Sequence, residues 1–218
     1  MNTKTLCTLT ICCALALLFA PAQLRAQTTQ NNNTPPAPAQ SKSTTIAGID
    51  AYSKAVDQFI KRNQKAARIF ANVASDNEQA KDNWREFKTE KARDKADTGD
   101  NLNENAYVWS RNGKLVGANF TFQSPSRDWA HFVMYYFRED GTLAKTESTL
   151  NTFYGNVTII RSTYYDPNGK ELRTTTRYRD LNTQKPIKPK GDFFDEPTPV
   201  YSKVSALPFH HLLITTKR

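Results

Sequence analysis

Cysteine is nearly absent from this 218-residue chain: its three cysteines, Cys7, Cys12 and Cys13, all lie near the N-terminus. They fall within residues 1–26, which we predict to be a signal peptide, so the mature chain would contain no cysteine. That absence excludes disulfide bonds, thiol catalysis and cysteine-ligated metal. It also favours a bacterial exported protein, because small eukaryotic secreted domains usually carry disulfide bonds.

Histidine is equally scarce, with only His131, His210 and His211. On an extended segment the two adjacent histidines would point in opposite directions, which makes them poor joint ligands for one metal. The sequence contains no HExxH motif, no acidic calcium loop and no complete phosphate-binding glycine loop. No serine has the context of a nucleophile elbow, although a triad of distant residues leaves no trace in a single sequence. We therefore predict no metal, no cofactor and no catalytic residue.

The first 26 residues have the pattern of a cleaved secretory signal. Lys4 supplies a positive start, Leu6–Ala20 is apolar, and small residues offer cleavage sites at Ala22 or Ala26. The apolar run is shorter than the roughly 20 residues that a membrane-spanning helix requires. We therefore expect a periplasmic or secreted bacterial protein with no transmembrane segment in the mature chain.

Residues 27–45 are rich in Gln, Asn, Thr and Pro and carry one charged residue, Lys42. This composition offers too little apolar surface to fold, so we predict a disordered spacer. The spacer either holds the following domain away from a membrane or wall, or it has no role of its own.

The chain is basic, with a net charge of +9, or +7 without Lys4 and Arg25 of the predicted signal peptide. A basic protein favours anionic partners, here an anionic envelope surface or an acidic glycan rather than nucleic acid. The alternative is that the charge only keeps the protein soluble.

Residues 46–218 are predicted to form a single α+β domain that begins with a helical part, 46–95. The segment 49–62 places apolar residues at helical spacing, which predicts an amphipathic helix ended by Asn63. Residues 66–74 either continue that helix after a break or form a short strand. Residues 78–91 are predicted to form a second helix, anchored by Trp84 and Phe87.

A repeat at 106–181 predicts an antiparallel β-meander. Gly113, Gly141 and Gly169 each follow Asn or Asp, are 28 residues apart, and have an aromatic residue four positions earlier. Asn-Gly and Asp-Gly are strong signals for a tight hairpin turn. The predicted strands are 106–111, 115–123, 129–138, 143–153, 157–166 and 171–181. We expect N-terminal helices packed on this curved sheet of about six strands, in a cystatin-like or half-barrel shape. The proline-rich tail, 182–218, should run extended over the domain, with 200–207 as an alternative further strand.

Strand 129–138 is apolar on both faces and therefore needs a cover on each side. If the sheet curls around a ligand, Trp129, His131 and Tyr135 on one face are the best candidates for lining its pocket. The alternative is that these three side chains only pack in the core.

The last strands are basic and offer a candidate surface for an anionic partner, formed by Arg161, Arg173, Arg177, Arg179 and Tyr178. The alternative is an edge strand that its charges protect against aggregation.

These features predict an exported, non-catalytic protein that binds an apolar or amphipathic small ligand on the concave side of the sheet. The alternative is a structural or protein-interaction module of the cell envelope, with an envelope protein as its partner and the basic outer strands as its surface. A hydrolase is a distant third.

Overall fold

A computed structural model describes residues 44–73, 83–96, 104–188 and 190–215. The predicted signal peptide and all but the last two residues of the predicted spacer lie outside these ranges. Within the described residues, no helix is both long enough and apolar enough to cross a membrane.

The described residues form one open antiparallel sheet of eight strands with a few helices, which fits the α+β class. The strands are β1 (Arg68–Asn72), β2 (Trp84–Phe87), β3 (Glu104–Arg111), β4 (Lys114–Gln123), β5 (Trp129–Phe137), β6 (Leu143–Thr152), β7 (Val157–Tyr165) and β8 (Glu171–Asp180). Their order across the sheet is β2-β1-β3-β4-β5-β6-β7-β8. The six strands expected from the sequence are β3 to β8, and the sheet extends beyond them by β1 and β2.

The predicted second helix, 78–91, is wrong over 83–89, and only its last two residues are helical. Trp84 begins β2, and the short helix α2 (Glu90–Ala96) starts only after the strand has ended. Trp84 is buried against the rings of Phe120 and Phe209, with ring centroids 5.8 and 5.0 Å away. The helical spacing of Trp84 and Phe87 predicts a helix, but burial of the indole ring in this long-range contact stabilises a strand instead. In a short segment, such packing against neighbouring strands outweighs the local preference for helix.

The predicted amphipathic helix is α1 (Ile46–Arg62). The Thr45 side chain caps its start by accepting a hydrogen bond of 3.2 Å from the Gly48 amide. Asn63 follows its last turn, and the Asn63 side-chain amide donates to the Phe59 carbonyl at 2.8 Å. Local capping and one apolar stripe thus fix the helix that the sequence predicts.

The sheet has two covered faces. The helix face is the side on which α1 packs, against Val116, Tyr136, Ala144 and Tyr164. The tail face is the opposite side, which the C-terminal segment 185–215 covers. β5 is buried on both faces only toward its C-terminal end, where α1 covers Tyr136 and the C-terminal segment covers Tyr135. Nearer its start, Phe132 on the helix face stays exposed.

The predicted strand at 200–207 does not form. A single bridge pairs Lys203 with Thr142, and the chain then makes a 3₁₀ turn (Val204–Ala206) and the helix α3 (His210–Thr215). Leu207 and Phe209, which lie just before α3, are buried in the core of the tail face. Their burial holds the segment on the sheet, although the segment does not pair with a strand along its length.

The 28-residue repeat gives each hairpin the same irregularity. In the first turn both Asn112 and Gly113 have positive φ, 54° and 73°. In the other two turns only the glycine does, with φ of 83° at Gly141 and 84° at Gly169, as in hairpins that end in a left-handed residue. Three residues after each glycine the register shifts by one, which leaves an unpaired residue: Val116, Ala144 and Leu172.

Candidate functional site

The three residues predicted to line a pocket lie together on the tail face. Tyr135 is fully buried, and its hydroxyl donates to the Pro199 carbonyl at 2.8 Å. The Trp129 ring stacks on Phe194 with centroids 5.5 Å apart. His131 is 1% exposed. The C-terminal segment covers all three, so their contact with a ligand stays a prediction.

His131 is buried without a hydrogen-bond partner for either ring nitrogen among the described residues. Burial, and then the nearby positive charge of Arg161, lower the pKa of His131 to about 4. The imidazole is therefore neutral at physiological pH and is held by packing alone.

The five residues of the predicted basic surface divide between the two faces. Arg173, Arg177 and Arg179 project from the helix face of β8, as strand alternation predicts. Arg161 lies on the tail face and pairs with Asp195 at 2.9 Å. Tyr178 also lies on the tail face, where its ring packs edge-on against Phe193. Of these five, only the three arginines of β8 share one surface.

A cleft of about 480 Å³ opens where α3 faces the β3–β4 hairpin. We call it the C-terminal cleft. It is lined by Arg68, Ser110, Gly113, Leu115, Val204, His210, Leu213 and Ile214. Its volume falls within the range of small-molecule sites, and its walls are mostly apolar with a few polar groups, as in such sites.

The apolar wall of the C-terminal cleft depends on how α3 is fixed. Phe209, just before α3, stacks on Phe70 with centroids 4.3 Å apart and is fully buried. This contact presents Leu213 and Ile214 toward Leu115 across the cleft. Ile214 is 62% exposed, which leaves apolar surface at the opening.

The polar end of the cleft is a fixed arginine. The Arg68 guanidinium bonds both carboxylate oxygens of Glu86 at 2.7 Å and donates to the Leu212 carbonyl at 3.0 Å. It also lies 5.1 Å from the centre of the Phe70 ring. These contacts hold a hydrogen-bonding group beside an apolar wall, which suits an amphipathic ligand.

A second depression, of about 320 Å³, lies on the helix face beside α1. We call it the helix-face groove. It is lined by Asn119, Phe132, Met134, Glu147, Ser148, Thr149, Ile160, Ser162 and Arg177. The lining is more polar than that of the C-terminal cleft and includes one exposed aromatic ring, that of Phe132.

A charged network borders the helix-face groove beneath α1. Lys145 is buried and lies 2.9 Å from Asp50 and 2.7 Å from Glu147. Burial lowers the pKa of Lys145, but the hydrogen bonds that its ammonium donates to these carboxylates outweigh burial, so the net shift of the pKa is upward. The Tyr136 hydroxyl lies 2.8 Å from Asp57 and 3.1 Å from Glu147. The network anchors α1, and its single cation, Lys145, is shared by the Asp50 and Glu147 carboxylates at the edge of the groove.

Few groups with catalytic or metal-binding potential lie together among the described residues. Ser110 and His210 both line the C-terminal cleft, but no hydrogen bond joins them. Within the ranges that the structure describes, no group of three or more His, Asp and Glu side chains could hold a metal ion.

Sequence reasoning identified one groove residue, Arg177, and none of the C-terminal cleft as site residues. The signal for the cleft was the apolar run Leu212–Ile214 after a proline-rich tail, which the prediction treated as extended chain. The signal for the groove was Phe132 on the less apolar side of β5. No protein-family model matches the chain, and neither a curated protein nor a solved structure matches it significantly.

Proposed function

We propose that this is a non-catalytic binding protein for an amphipathic small molecule, held in the C-terminal cleft. The observation that carries the proposal is the pairing of an apolar wall with a fixed polar end in one opening of about 480 Å³. Export to the periplasm or the cell exterior is part of the proposal, as the N-terminal sequence suggests.

The ligand's apolar body would lie along Leu115, Val204 and Leu213, and its contact with the exposed Ile214 would remove that side chain from water. Burial of apolar surface is worth about 25 cal/mol per Å², so this wall supplies the main part of the affinity.

The polar head would lie at Arg68 and His210. Because a guanidinium has only N–H donors, the cleft favours a head that accepts hydrogen bonds, such as a carboxylate or a hydroxyl, over a cationic one. The Glu86 carboxylate offsets part of the Arg68 charge, so this preference does not require a charged head. This cleft, rather than the buried Trp129, His131 and Tyr135, is the site that the geometry supports best.

The test is a fluorescence titration with 8-anilinonaphthalene-1-sulfonate, an amphipathic anion, followed by displacement with decanoate. Ser110 is exposed and lines the cleft, so Ser110→Phe would fill it without disturbing a core residue. Ser205→Phe is the matched control, because Ser205 is exposed on the same side but does not line the cleft.

We expect one molecule of probe per chain, displaced by decanoate, with affinity reduced about tenfold or more in Ser110→Phe, the equivalent of about 1.4 kcal/mol of lost contact. Ser205→Phe should bind as the unmodified protein does. Equal affinity in the two variants would exclude the cleft as the site. Native mass spectrometry of protein isolated gently from its host should also show a bound mass that denaturation releases.

A further inference from the structure

A row of side chains crosses the helix face at one level of the register. Thr121, Phe132, Thr149, Ile160 and Arg177 lie directly opposite one another on β4 to β8. Because neighbouring strands are roughly 4.8 Å apart, this row extends over about 19 Å. All of its members except Thr121 line the helix-face groove, and none belongs to the cluster that α1 forms on the sheet.

The second residue of the row, Phe132, is an aromatic ring among unpaired polar groups. Phe132 is 41% exposed. Among the described residues, the groove side chains of Thr149, Asn119 and Ser162 make no hydrogen bond, so they are free to bind a ligand. An exposed ring surrounded by free hydroxyl and amide groups presents both a stacking platform and hydrogen-bonding partners to one ligand.

The β8 end of the row is positively charged. Arg177 is exposed and makes no hydrogen bond or ion pair with the described residues. Arg173 and Arg179 flank it on the same face of the strand. The one carboxylate that lines the groove, Glu147, lies 2.7 Å from Lys145 but shares this cation with Asp50, so its charge is only partly offset. The β8 end of the groove, where Arg177 lies, therefore favours an anionic group on the ligand.

We infer that the helix-face groove binds a segment of acidic polysaccharide. The C–H groups of a sugar ring carry partial positive charge and are attracted to the negative face of an aromatic ring such as Phe132. The hydroxyl groups of the sugar would form hydrogen bonds with the free side chains of Thr149, Ser162 and Asn119. A carboxylate or sulfate on a neighbouring sugar would take a paired hydrogen bond from Arg177.

The same observations favour a glycan over a nucleic acid. A single-stranded nucleic acid stacks successive bases on several aromatic side chains and follows a continuous basic groove. The row has one aromatic ring, and the cations lie only at its β8 end. A single aromatic ring surrounded by hydroxyl groups suits one sugar ring better than a run of stacked bases.

The experiment is calorimetric titration of the full chain with trigalacturonate, an acidic trisaccharide, and with maltotriose, a neutral one. The variants are Arg177→Gln and Phe132→Thr. Arg85→Gln is the control, because Arg85 is an exposed arginine on the strand at the opposite edge of the sheet. It makes the same change in net charge away from the groove.

We expect trigalacturonate to bind and maltotriose to bind at least tenfold more weakly, since a charge-assisted hydrogen bond is lost. Arg177→Gln and Phe132→Thr should each weaken trigalacturonate by about tenfold, with thermal unfolding unchanged. Equal losses in Arg85→Gln and Arg177→Gln would overturn the inference, since they would indicate general attraction to a basic protein. Binding of hexaglutamate or of a thymidine hexanucleotide as tight as that of trigalacturonate would overturn the assignment to a glycan.

Discussion

The guanidinium of Arg138 donates a hydrogen bond of 2.6 Å to the main-chain carbonyl of Tyr165, which lies 27 residues further along the chain. The same guanidinium donates to the Leu143 carbonyl. Arg138 is 1% exposed and forms no ion pair with the described residues. It therefore joins two successive hairpins at the level where their registers shift, after Tyr136 and after Tyr164.

Replacing Arg138 with Met should destabilise the domain by about 3–5 kcal/mol, because it leaves buried carbonyls without their donors. Urea unfolding measures the free energy. Arg85→Met is the control, since Arg85 is exposed and makes no contact of this kind; it should change stability by less than about 0.5 kcal/mol. A loss below about 1 kcal/mol in Arg138→Met would mean that the two carbonyls find other donors.

Local sequence signals account for most of the sheet. The turns at Gly113, Gly141 and Gly169 require positive φ, and this requirement is visible in the sequence. Each of the six strands that they delimit ends within two residues of its prediction. The apolar face of α1 and the end of this helix at Asn63 are likewise set by residues within the segment itself.

The elements that the sequence did not predict depend on distant partners. β2 is a strand because Trp84 is buried against Phe120 and Phe209, residues far along the chain. The C-terminal cleft and the helix-face groove are also assembled from distant segments: the cleft joins Arg68 to Leu213, and the groove joins Asn119 to Arg177. No short window of sequence contains such pairings, so neither site could be found from periodicity.

His131 should make the stability of the domain depend on pH between about 6.5 and about 4. Burial and Arg161 lower its pKa to about 4 in the folded protein, so the unfolded chain binds more protons within that window. Stability therefore falls as the pH falls from 6.5 to 4, by roughly 3 kcal/mol, and this contribution does not change further below 4. Urea unfolding at several pH values measures the loss.

His131→Leu should remove that dependence and raise stability at neutral pH by about 1–2 kcal/mol, because it replaces two unpaired buried nitrogens with apolar surface. His211→Leu is the control, since His211 is exposed on α3, and it should keep the pH dependence of the unmodified protein. The same slope in both variants would show that other groups produce it.

Lys145 should hold α1 on the sheet. Lys145→Met removes the cation between Asp50 and Glu147 and should cost about 2 kcal/mol, less than for a fully buried pair because both carboxylates are half exposed. Burial raises the pKa of Asp50, but hydrogen bonds from Lys145 and Tyr164 outweigh it and lower the pKa. Asp50 therefore contributes stability above its ordinary pKa of 3.8, and that contribution is lost as the pH falls below it.

The Lys145→Met variant should show less of this acid loss than the unmodified protein, as followed by circular dichroism between pH 5 and pH 2. Asp50→Asn should remove the same part of the acid loss. The double variant should be at most about 0.5 kcal/mol less stable than Lys145→Met alone. Independent, additive losses would show that the two residues do not act as a pair.

Gly155 and Gly113 form a matched pair that tests how the C-terminal segment is held. Both have positive φ, 86° and 73°, so alanine at either position costs about 1 kcal/mol in the backbone. A Cβ at Gly155 would lie 2.5 Å from the Cβ of Phe193, whereas a Cβ at Gly113 would meet nothing within 4 Å. Gly155→Ala should therefore destabilise the domain by about 1–3 kcal/mol more than Gly113→Ala.

Phe194 follows Phe193 directly in the chain, so we expect a displaced Phe193 backbone in Gly155→Ala also to move Phe194 away from Trp129, on which it stacks at 5.5 Å. Tryptophan fluorescence should shift to longer wavelength, and a protease should cut within 187–199 faster than in Gly113→Ala. Equal stability and equal cleavage in the two variants would mean that Phe193 does not hold the segment against the sheet. A clash that instead relaxes within the 153–156 turn would lower stability in Gly155→Ala but leave the Trp129 emission unchanged.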